Sequence, residues 1–494
     1  MNTQITRLAV TGVGLMVAVI VATTYWQTWA VAGLNDRQDN AIRKVAEFTI
    51  DRGEIRGRTG RLVYAANRKK RVSGKTLYLR RYPLGDLAPH VHGYSTVGRA
   101  RSGLEQSQND YLTASNANLG TVVDTALDRL RGTTVHGNDV HITLDAGAQR
   151  VALDQLGSRC GAIVALEPRT GRVLVMASSP SFDPNLVERK GGWARIARTR
   201  GDCSPAAPLV NRATDGRYAP GSTFKVVTAA AALESGRWSP ASTFSDPGYC
   251  IEYGKRVYNY DTSSGFGTVN FAQAMQYSIN SVFCNIGKEL GAPRILEMGA
   301  KFGFYSRPPI ETPPEERTAS GLYGRNGPIM PDRANRADPG RLAFGQERLL
   351  VTPLQMAMVT AAIANDGVVM RPFLIERIVT PKGSVIDRTK PDRLGRAVSA
   401  QNANALEDMM ELVVANGTGT AAQISGVRVA GKTGTAETGR AGVNTTGFLG
   451  FAPADRPRVA VAVYVEAQRG TGGRIAAPMA RAVMQAILGE GRKG

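Results

Sequence analysis

Histidine is the scarcest catalytic residue type in this 494-residue chain, with only four copies: His90, His92, His136 and His141. Because none follows position 141, a Ser-His-Asp triad cannot be assembled from the remainder of the chain. His90 and His92 form too sparse a pair for a metal site, and their surroundings predict exposed loop histidines. Any nucleophilic chemistry in the second part of the chain therefore needs a different base.

Acidic residues are also in deficit, with 41 Asp and Glu against 61 Lys and Arg, which leaves a formal net charge of +20. Such a balance favours anionic surroundings, or it marks a basic solvated surface without a partner. Aromatic residues make up only 6% of the chain and do not alternate with arginine. Without zinc-ligand spacing or an RNA-binding signature, we expect no nucleic-acid partner.

Charge is missing altogether from Leu8 to Ala32. This segment approaches the ~20 apolar residues that cross a bilayer, and Tyr25, Trp26 and Trp29 are placed as an interfacial aromatic belt. We predict a transmembrane anchor over 8–32, after a cytoplasmic tail over 1–7. The alternative is a cleaved signal peptide, because Ala30-Val31-Ala32 has the small-x-small form of a cleavage site. Both interpretations place the rest of the chain outside the membrane.

Cysteine is rare, with four copies in the chain. Export makes these cysteines candidates for disulfides, and four cysteines allow three pairings. We expect two local bridges, Cys250 with Cys284 and Cys160 with Cys203. Buried free thiols are the alternative.

At this length we expect two domains, which the pattern divides as 33–144 and 145–494. The first region is basic, and its run Arg68-Lys69-Lys70-Arg71 is either a solvated turn or a contact for lipid headgroups. The second region has strand patterns at both ends and helical patterns between them, which indicates an α+β domain. An antiparallel sheet would join the hairpin at 161–177 to strands at 427–430, 446–451 and 458–465. The predicted helices are 122–130, 148–156, 224–235, 353–365 and 476–488.

Ser222-Thr-Phe-Lys225 is the one S-x-x-K sequence in the chain, and it follows Pro220 and Gly221 at the start of an alanine-rich helical run. Serine and lysine three positions apart share one helical face, and a helix N-terminus favours a developing anion. Serine needs a neighbouring base, which a lysine amine supplies when burial and a nearby cation lower its pKa. On its own, the pattern also fits a serine N-cap with a solvated lysine.

Two further motifs follow in order. Ser278-Ile-Asn280 comes 56 positions after Ser222, and Lys432-Thr433-Gly434-Thr435 comes 154 positions later still. Gly434 would let the extended backbone of a substrate lie close to this segment. The stretch 426–433 also satisfies the P-loop pattern G-x-x-x-x-G-K-T, but it lacks the preceding strand and the helix beginning at the lysine, so we reject a nucleotide site.

The ordered set S-x-x-K, S-x-N and K-T-G resembles the signature of penicillin-binding proteins and class A β-lactamases. Further similarity runs from about Asp145 to Leu488. Before it, Arg52–Gly60 and Gly103-Leu104-Glu105 resemble the pedestal of class B, monofunctional penicillin-binding proteins of the actinobacterial type. The resemblance implies one transmembrane helix, a small mixed pedestal and an α+β transpeptidase domain whose antiparallel sheet has helices on both sides.

The resemblance also implies a mechanism, in which no cofactor or metal takes part. Ser222 would attack the penultimate D-Ala carbonyl of a peptidoglycan stem peptide while Lys225 accepts its proton. By the same resemblance, Ser278 would assist departure of the leaving group, Asn280 would hydrogen-bond the substrate amide, and Lys432 would be the cation that keeps Lys225 neutral. Thr433 and Thr435, with Gly434 between them, would bind the terminal carboxylate. The backbone N–H groups of Ser222 and Thr435 would form the oxyanion hole.

Several functions share these motifs. A D,D-carboxypeptidase or a β-lactamase would use the same serine and differ in the group that accepts the acyl chain. A β-lactam sensor or a cell-wall scaffold is the non-enzymatic alternative, although a scaffold would not need Lys432 and a sensor would need a signalling part. The family implies stem peptides as substrates, β-lactams as covalent inhibitors and a polytopic glycan polymerase as partner.

Overall fold

The computed structural model describes residues 2–28, 48–72, 74–96, 101–116, 118–259 and 264–490. The predicted cleavage motif at 30–32, Trp29 and the first part of the basic region, up to residue 47, lie outside these ranges. Helix α1 (Asn2–Thr28) opens the chain, and its large apolar side chains between residues 10 and 25 are exposed, with Val10, Val19 and Val21 between 60% and 67% accessible. Across the described ranges, no helix combines the length and apolarity needed to cross a bilayer.

A six-stranded sheet organises the region that follows α1. Its strand order is β16-β15-β4-β1-β2-β3, in which β1 runs parallel to β4 and β15 pairs antiparallel with β4. The first four strands are β1 (Ile55–Gly57), β2 (Val63–Val72), β3 (Lys75–Arg81) and β4 (Asp139–Ile142), and the other two are β15 (Ile375–Val379) and β16 (Val385–Arg388). Two strands from late in the chain thus complete the sheet of the early region.

Between β3 and β4 the described chain forms the helices α2 (Pro89–His92), α3 (Gly103–Ser107), α4 (Asn109–Leu112) and α5 (Leu119–Leu130). Buried ion pairs link α3 to the strands. Glu105 is fully buried and accepts hydrogen bonds from Arg52 Nε at 2.8 Å and Arg80 Nε at 2.6 Å. These bonds satisfy both carboxylate oxygens inside a region that would otherwise penalise a charge heavily.

The prediction of exposed loop histidines at positions 90 and 92 is wrong. Both residues lie in α2 and are buried, His90 at 6% exposure and His92 at zero. The His92 ring stacks on Tyr82 with centroids 5.2 Å apart, and His90 Nε2 lies 2.7 Å from the carbonyl oxygen of Pro208. Sequence spacing does not reveal this burial, because the rings are covered by residues distant in the chain.

The second region is built on a five-stranded antiparallel sheet with the order β18-β19-β20-β5-β6. It joins the early hairpin β5 (Gly161–Leu166) and β6 (Val173–Ser179) to the C-terminal strands β18 (Ala430–Arg440), β19 (Val443–Ala452) and β20 (Val459–Gln468), as predicted. One detail differs, because the strand expected at 427–430 instead begins at Ala430. The motif Lys432–Thr435 therefore lies within a strand and not at its end.

Both faces of this sheet are covered. In β5, Ala162, Val164 and Leu166 face one core, while Ile163 and Ala165 face the other, as the alternation of side chains along a strand requires. Helices α6 (Ala146–Leu156) and α15 (Gly472–Glu490) pack on one face. On the other face lie α8 (Lys225–Glu234) and α13 (Pro353–Ile363), both buried over nearly their whole length.

The remaining elements are shorter or lie outside this layer. The helices are α7 (Gly192–Ala197), α9 (Phe271–Gln276), α10 (Asn280–Leu290), α11 (Ala292–Lys301), α12 (Pro339–Ala343) and α14 (Ala400–Asn416). The strands are β7 (Thr243–Asp246), β8 (Tyr249–Glu252), β9 (Lys255–Tyr258), β10 (Gly267–Asn270), β11 (Gly321–Gly324), β12 (Gly327–Pro328), β13 (Leu349–Leu350), β14 (Val368–Met370) and β17 (Arg393–Arg396). The helices at 271–301 and α14 were not predicted from the sequence.

Candidate active site

Ser222 lies in a single 3₁₀ turn, Gly221–Phe224, that leads directly into α8. Gly221 has a φ of +53°, and a Cβ there would come within 2.7 Å of the carbonyl oxygen of Thr435 in β18. Only glycine fits this position without strain. The turn also contacts β20, because Thr223 Oγ1 lies 2.6 Å from the hydroxyl of Tyr464, within hydrogen-bond distance. The sheet therefore fixes the serine turn at two points.

Lys225 begins α8 and is fully buried. Its Nζ donates hydrogen bonds to the carbonyl oxygen of Ser278 and to Asn280 Oδ1, both at 2.7 Å, and it lies 3.2 Å from Ser278 Oγ. The Nζ also lies 5.1 Å from the centroid of the Phe283 ring. Among the described residues, no carboxylate forms an ion pair with it.

Ser278 and Asn280 sit at the connection between α9 and α10. Ser278 adopts a left-handed backbone conformation with φ of +57°, which is unusual for a residue other than glycine and points to local strain. Asn280 is the first residue of α10, and its Nδ2 donates to the carbonyl oxygen of Tyr258 at 2.8 Å. Because α9 ends at Gln276 and α10 begins at Asn280, the chain must change direction within a few residues, and Ser278 lies in this tight connection.

Lys432 enters the same site from β18 and is also fully buried. Its Nζ donates to Ser278 Oγ at 2.8 Å and to the carbonyl oxygen of Thr433 at 3.2 Å. Ser278 Oγ therefore lies between the two lysine amines. The structure brings together Ser278, Asn280, Lys225 and Lys432, which the sequence separates by up to 207 positions.

Both lysines have depressed pKa values, and the causes are physical. Burial lowers the pKa of Lys225 well below its usual range, and the neighbouring charge of Lys432 lowers it further. Burial alone lowers the pKa of Lys432 to about 7. Desolvation penalises the charged form of an amine, and a like charge adds to that penalty. Lys225 is consequently the group more strongly held in its neutral form.

β18 is an edge strand of the five-stranded sheet, and it runs alongside the serine turn. A Cβ at Gly434 would lie 2.7 Å from Thr223 Cγ2 and 2.8 Å from the carbonyl oxygen of Pro220. Gly434 thus permits close contact with the serine turn, whereas the sequence predicted that its small size leaves room for the backbone of a substrate. Thr435 Oγ1 accepts a hydrogen bond from the backbone N–H of Gly472 at 3.1 Å.

Three supporting residues were not identified from the sequence. Asn259 Oδ1 accepts hydrogen bonds from the backbone N–H groups of Asn280 at 2.9 Å and Ser281 at 3.2 Å, and Asn259 Nδ2 donates to buried Asp246. Thr418 Oγ1 lies 2.7 Å from Thr433 Oγ1, and its backbone N–H donates to the carbonyl oxygen of Gln276 at 3.3 Å. Asn259 and Thr418 lie in loops and Asp246 ends β7, and single polar residues at such places carry no periodic signal that could have revealed them.

Disulfides join Cys160 to Cys203 and Cys250 to Cys284, which is the local pairing expected from the sequence. The second bridge connects β8 to α10, the helix that begins with Asn280. In the described part of the chain, both groups of side chains close enough to hold a metal contain one of these disulfides. Sulfurs in a disulfide are not thiolates, so they do not serve as ordinary metal ligands.

Comparison with known proteins agrees with this geometry. Residues 161–485 match the family model for the penicillin-binding protein transpeptidase domain, and residues 52–140 match the penicillin-binding protein A dimerisation domain. The peptidoglycan D,D-transpeptidase PbpA of Mycolicibacterium smegmatis is 34% identical over 99% of this chain and all of its own length. PbpA of Mycobacterium tuberculosis is likewise 34% identical, over 99% of both chains.

A ceftriaxone acyl-enzyme structure of penicillin-binding protein A from M. tuberculosis superimposes with a TM-score of 0.79 and 33% identity, over 90% of this chain and all of that one. An imipenem acyl-enzyme structure of the same protein gives a TM-score of 0.78 with the same identity and coverage. The chain belongs to the penicillin-binding protein family. It combines that family's transpeptidase fold with an N-terminal dimerisation domain.

Proposed function

We propose that this chain is a peptidoglycan D,D-transpeptidase that cross-links stem peptides through an acyl-enzyme at Ser222, and that β-lactams acylate the same serine. The observation that carries the proposal is Lys225, a buried amine without a described acidic partner, one helical turn from Ser222 and hydrogen-bonded to the Ser278 segment. The names of the full-length relatives and the β-lactam acyl-enzymes of the M. tuberculosis protein support it.

In the first step, Ser222 Oγ forms a bond to the penultimate D-Ala carbonyl carbon while its proton moves to neutral Lys225. A neutral amine has two N–H groups, which suffice for the two 2.7 Å bonds to Ser278 O and Asn280 Oδ1. The lone pair stays available for the Ser222 proton, and only after that transfer does Lys225 carry a third N–H, which can donate to Ser278 Oγ at 3.2 Å. Ser278 thereby offers a proton path away from Lys225.

In the second step, the C–N bond to the terminal D-Ala breaks and its nitrogen receives a proton through Ser278. Lys432 holds that hydroxyl and supplies the positive field that keeps Lys225 a base. Thr433 and Thr435 would bind the terminal carboxylate, and the backbone N–H groups of Ser222 and Thr435 would stabilise the oxyanion. One such donor lowers the activation free energy by about 2.7–4 kcal/mol. An amine of a second stem peptide then displaces Ser222.

We also propose that 8–32 anchors the chain in the cell membrane, with the pedestal (33–144) and the transpeptidase domain (145–494) outside. The absence of charge over 8–32 and the exposure of apolar side chains on α1 support this arrangement, because such side chains are unfavourable in water. The two disulfides agree with it, because disulfides form and persist in oxidising compartments. A polytopic glycan polymerase would be the partner that supplies uncross-linked glycan.

Labelling with a fluorescent penicillin, followed by mapping of the modified peptide, tests the acyl-enzyme. We expect the adduct on Ser222, its loss in Ser222→Ala, and its retention in Ser235→Ala, where the same change is made at the other end of α8. An adduct elsewhere, or none on the folded wild type, would refute the assignment of the nucleophile.

Incubation with lipid-linked precursor and a glycan polymerase then identifies the acceptor of the acyl group. We expect dimeric stem peptides as the main product. Release of D-Ala without dimers would indicate a carboxypeptidase, and rapid turnover of penicillin would indicate a β-lactamase.

A further inference from the structure

The three strands β1, β2 and β3 carry a concentration of positive charge that the transpeptidase reaction does not use. Residues 55–85 contain ten lysines and arginines and not one acidic residue. Two of the ten are paired with carboxylates elsewhere: Arg56 with Asp139 and Glu54, and Arg80 with Glu105. The other eight account for much of the net charge of +20.

These eight cations are all exposed: Arg58, Arg61, Arg68, Lys69, Lys70, Arg71, Lys75 and Arg81. No ion pair joins any of them to a described residue, and one of them, Lys69, lies over the ring of Tyr78 at 5.6 Å. Evenly mixed surface charge is the usual arrangement of a soluble protein, because it limits self-repulsion. An exposed set of one sign repels itself, and an anionic partner would relieve that repulsion.

The pairing of β2 with β3 arranges the cations along a two-stranded ribbon. Arg68 and Lys70 share one face because they are two positions apart, and Lys75 on β3 lies opposite Val72. Apolar side chains are exposed at both ends of β2, with Leu62 43% and Val72 41% accessible. We call residues 55–72 and 74–85 the basic ribbon.

We propose that the basic ribbon binds the anionic phospholipid headgroups of the membrane that holds the N-terminal anchor. This inference rests on the membrane attachment proposed above. Exposed cations interspersed with apolar side chains suit an interface, where the charges meet phosphates and the apolar groups reach the acyl boundary.

The position of the ribbon in the chain favours lipid over a soluble polyanion. Ile55 follows the last residue of α1 by only 27 positions, so an anchored chain keeps the ribbon at high effective concentration near the bilayer. Each cation near an anionic membrane surface favours the bound state by about fivefold. Several cations acting together would orient the early region against the membrane and so fix where the transpeptidase domain is held.

Lysine acetylation of the full chain in nanodiscs tests the proposal, with discs of phosphatidylcholine alone compared with discs that also contain phosphatidylglycerol. We expect Lys69, Lys70 and Lys75 to be acetylated several-fold more slowly in the anionic discs. The exposed lysines Lys255, Lys301 and Lys390 serve as internal controls and should react equally in both. High salt should remove the protection, because it screens exposed charges.

A charge-reversal variant isolates the ribbon. In Arg68→Glu/Lys70→Glu, the protection of Lys69 and Lys75 in anionic discs should be lost. The matched control Lys390→Glu/Arg393→Glu has the same change of net charge at exposed positions and should leave that protection intact. All four positions are exposed, so both variants should fold, which the melting temperature checks.

Equal acetylation of the ribbon lysines in both kinds of disc would overturn the proposal. So would stronger protection by soluble polyphosphate in neutral discs at an equal concentration of negative charge, because it would assign the ribbon to a soluble polyanion. A chain that elutes apart from neutral discs would refute the anchor. Salt-sensitive binding to anionic discs that disappears in Arg68→Glu/Lys70→Glu would still support the ribbon in that case.

Discussion

Two groups of buried cations among the described residues differ in what accompanies the charge. In the early region, Arg52 and Arg80 both bind the buried carboxylate of Glu105. In the candidate active site, Lys225 and Lys432 are buried without a described carboxylate partner and share Ser278 Oγ. Paired cations remain charged and hold a structure together, whereas unpaired amines give up protons and become available for chemistry.

The pKa values express the same difference. Burial lowers the pKa of Arg52 to about 10, with Glu105 opposing the shift, so the guanidinium stays charged at neutral pH. Burial tends to raise the pKa of Glu105, but Arg80 and Arg52 outweigh it and the net pKa is lowered. Lys432, without such a partner, titrates near 7. Burial thus lowers the pKa of both cations, but Arg52, whose pKa starts higher and whose shift Glu105 opposes, stays charged at neutral pH.

Removal of the candidate base should have the largest effect. In Lys225→Met, we expect the rate of acylation by penicillin to fall by about 10²–10⁴-fold, the usual contribution of a general base. The melting temperature should change little, because the removal of a desolvated amine offsets the loss of its hydrogen bonds to Ser278 O and Asn280 Oδ1. Stopped-flow labelling and thermal unfolding measure the two quantities. A large loss of stability with unchanged acylation would make Lys225 a structural residue.

Glu105→Gln tests the other group of buried cations, because it removes their counter-charge. It leaves two buried guanidinium groups without a counter-charge, so the free energy of unfolding should fall by about 3–5 kcal/mol. Acylation by the protein that remains folded should stay within a small factor of wild type, because Glu105 lies outside the candidate site. Glu315→Gln is the control, an exposed carboxylate that should change stability little. Denaturant unfolding measures the stability, and labelling at low temperature measures the acylation rate. A loss of acylation without a loss of stability would contradict the structural role of Glu105.

The pH dependence of acylation should report Lys432. As the pH rises through about 7, Lys432 loses its charge, so it attracts a substrate carboxylate less and no longer lowers the pKa of Lys225. We expect the second-order acylation rate constant to decrease on the alkaline side. In Lys432→Arg the charge persists, so this alkaline limb should move to higher pH. A flat profile between pH 6 and 9 in the wild type would disprove the role of the charge.

The smallest expected effect concerns Thr418, which joins the Ser278 segment to β18. Thr418→Val removes the hydroxyl that contacts Thr433 Oγ1, and one such hydrogen bond contributes about 0.5–1.5 kcal/mol. Acylation should slow by a few-fold, mainly through weaker binding of carboxylate-bearing penicillins. Thr420→Val, at an exposed position two residues later, is the matched control. Equal effects of the two substitutions would remove Thr418 from the site.

Much of the transpeptidase fold was predictable because its central strands are apolar without interruption. The runs at 161–166 and 459–465 are buried on both faces of the sheet, and such strands stand out in a sequence. The helices at 271–301 were missed although Asn270 and Gln273 form a capping box at the start of α9, and β18 was misplaced because Lys432–Thr435 is polar. Less of the early region could be predicted from the sequence, because its short helices and the burial of His90 depend on contacts with distant residues.

The sequence by itself determined which chemistry was available. A chain without histidine after position 141, but with S-x-x-K, S-x-N and K-T-G in order, has lysine and serine as its candidate base and nucleophile. Only the tertiary structure decided that Lys225 and Lys432 meet at Ser278 Oγ with no described acid beside them. That outcome depends on burial and on the identity of the neighbours, which are properties of the packed sheet and helices and not of any local pattern.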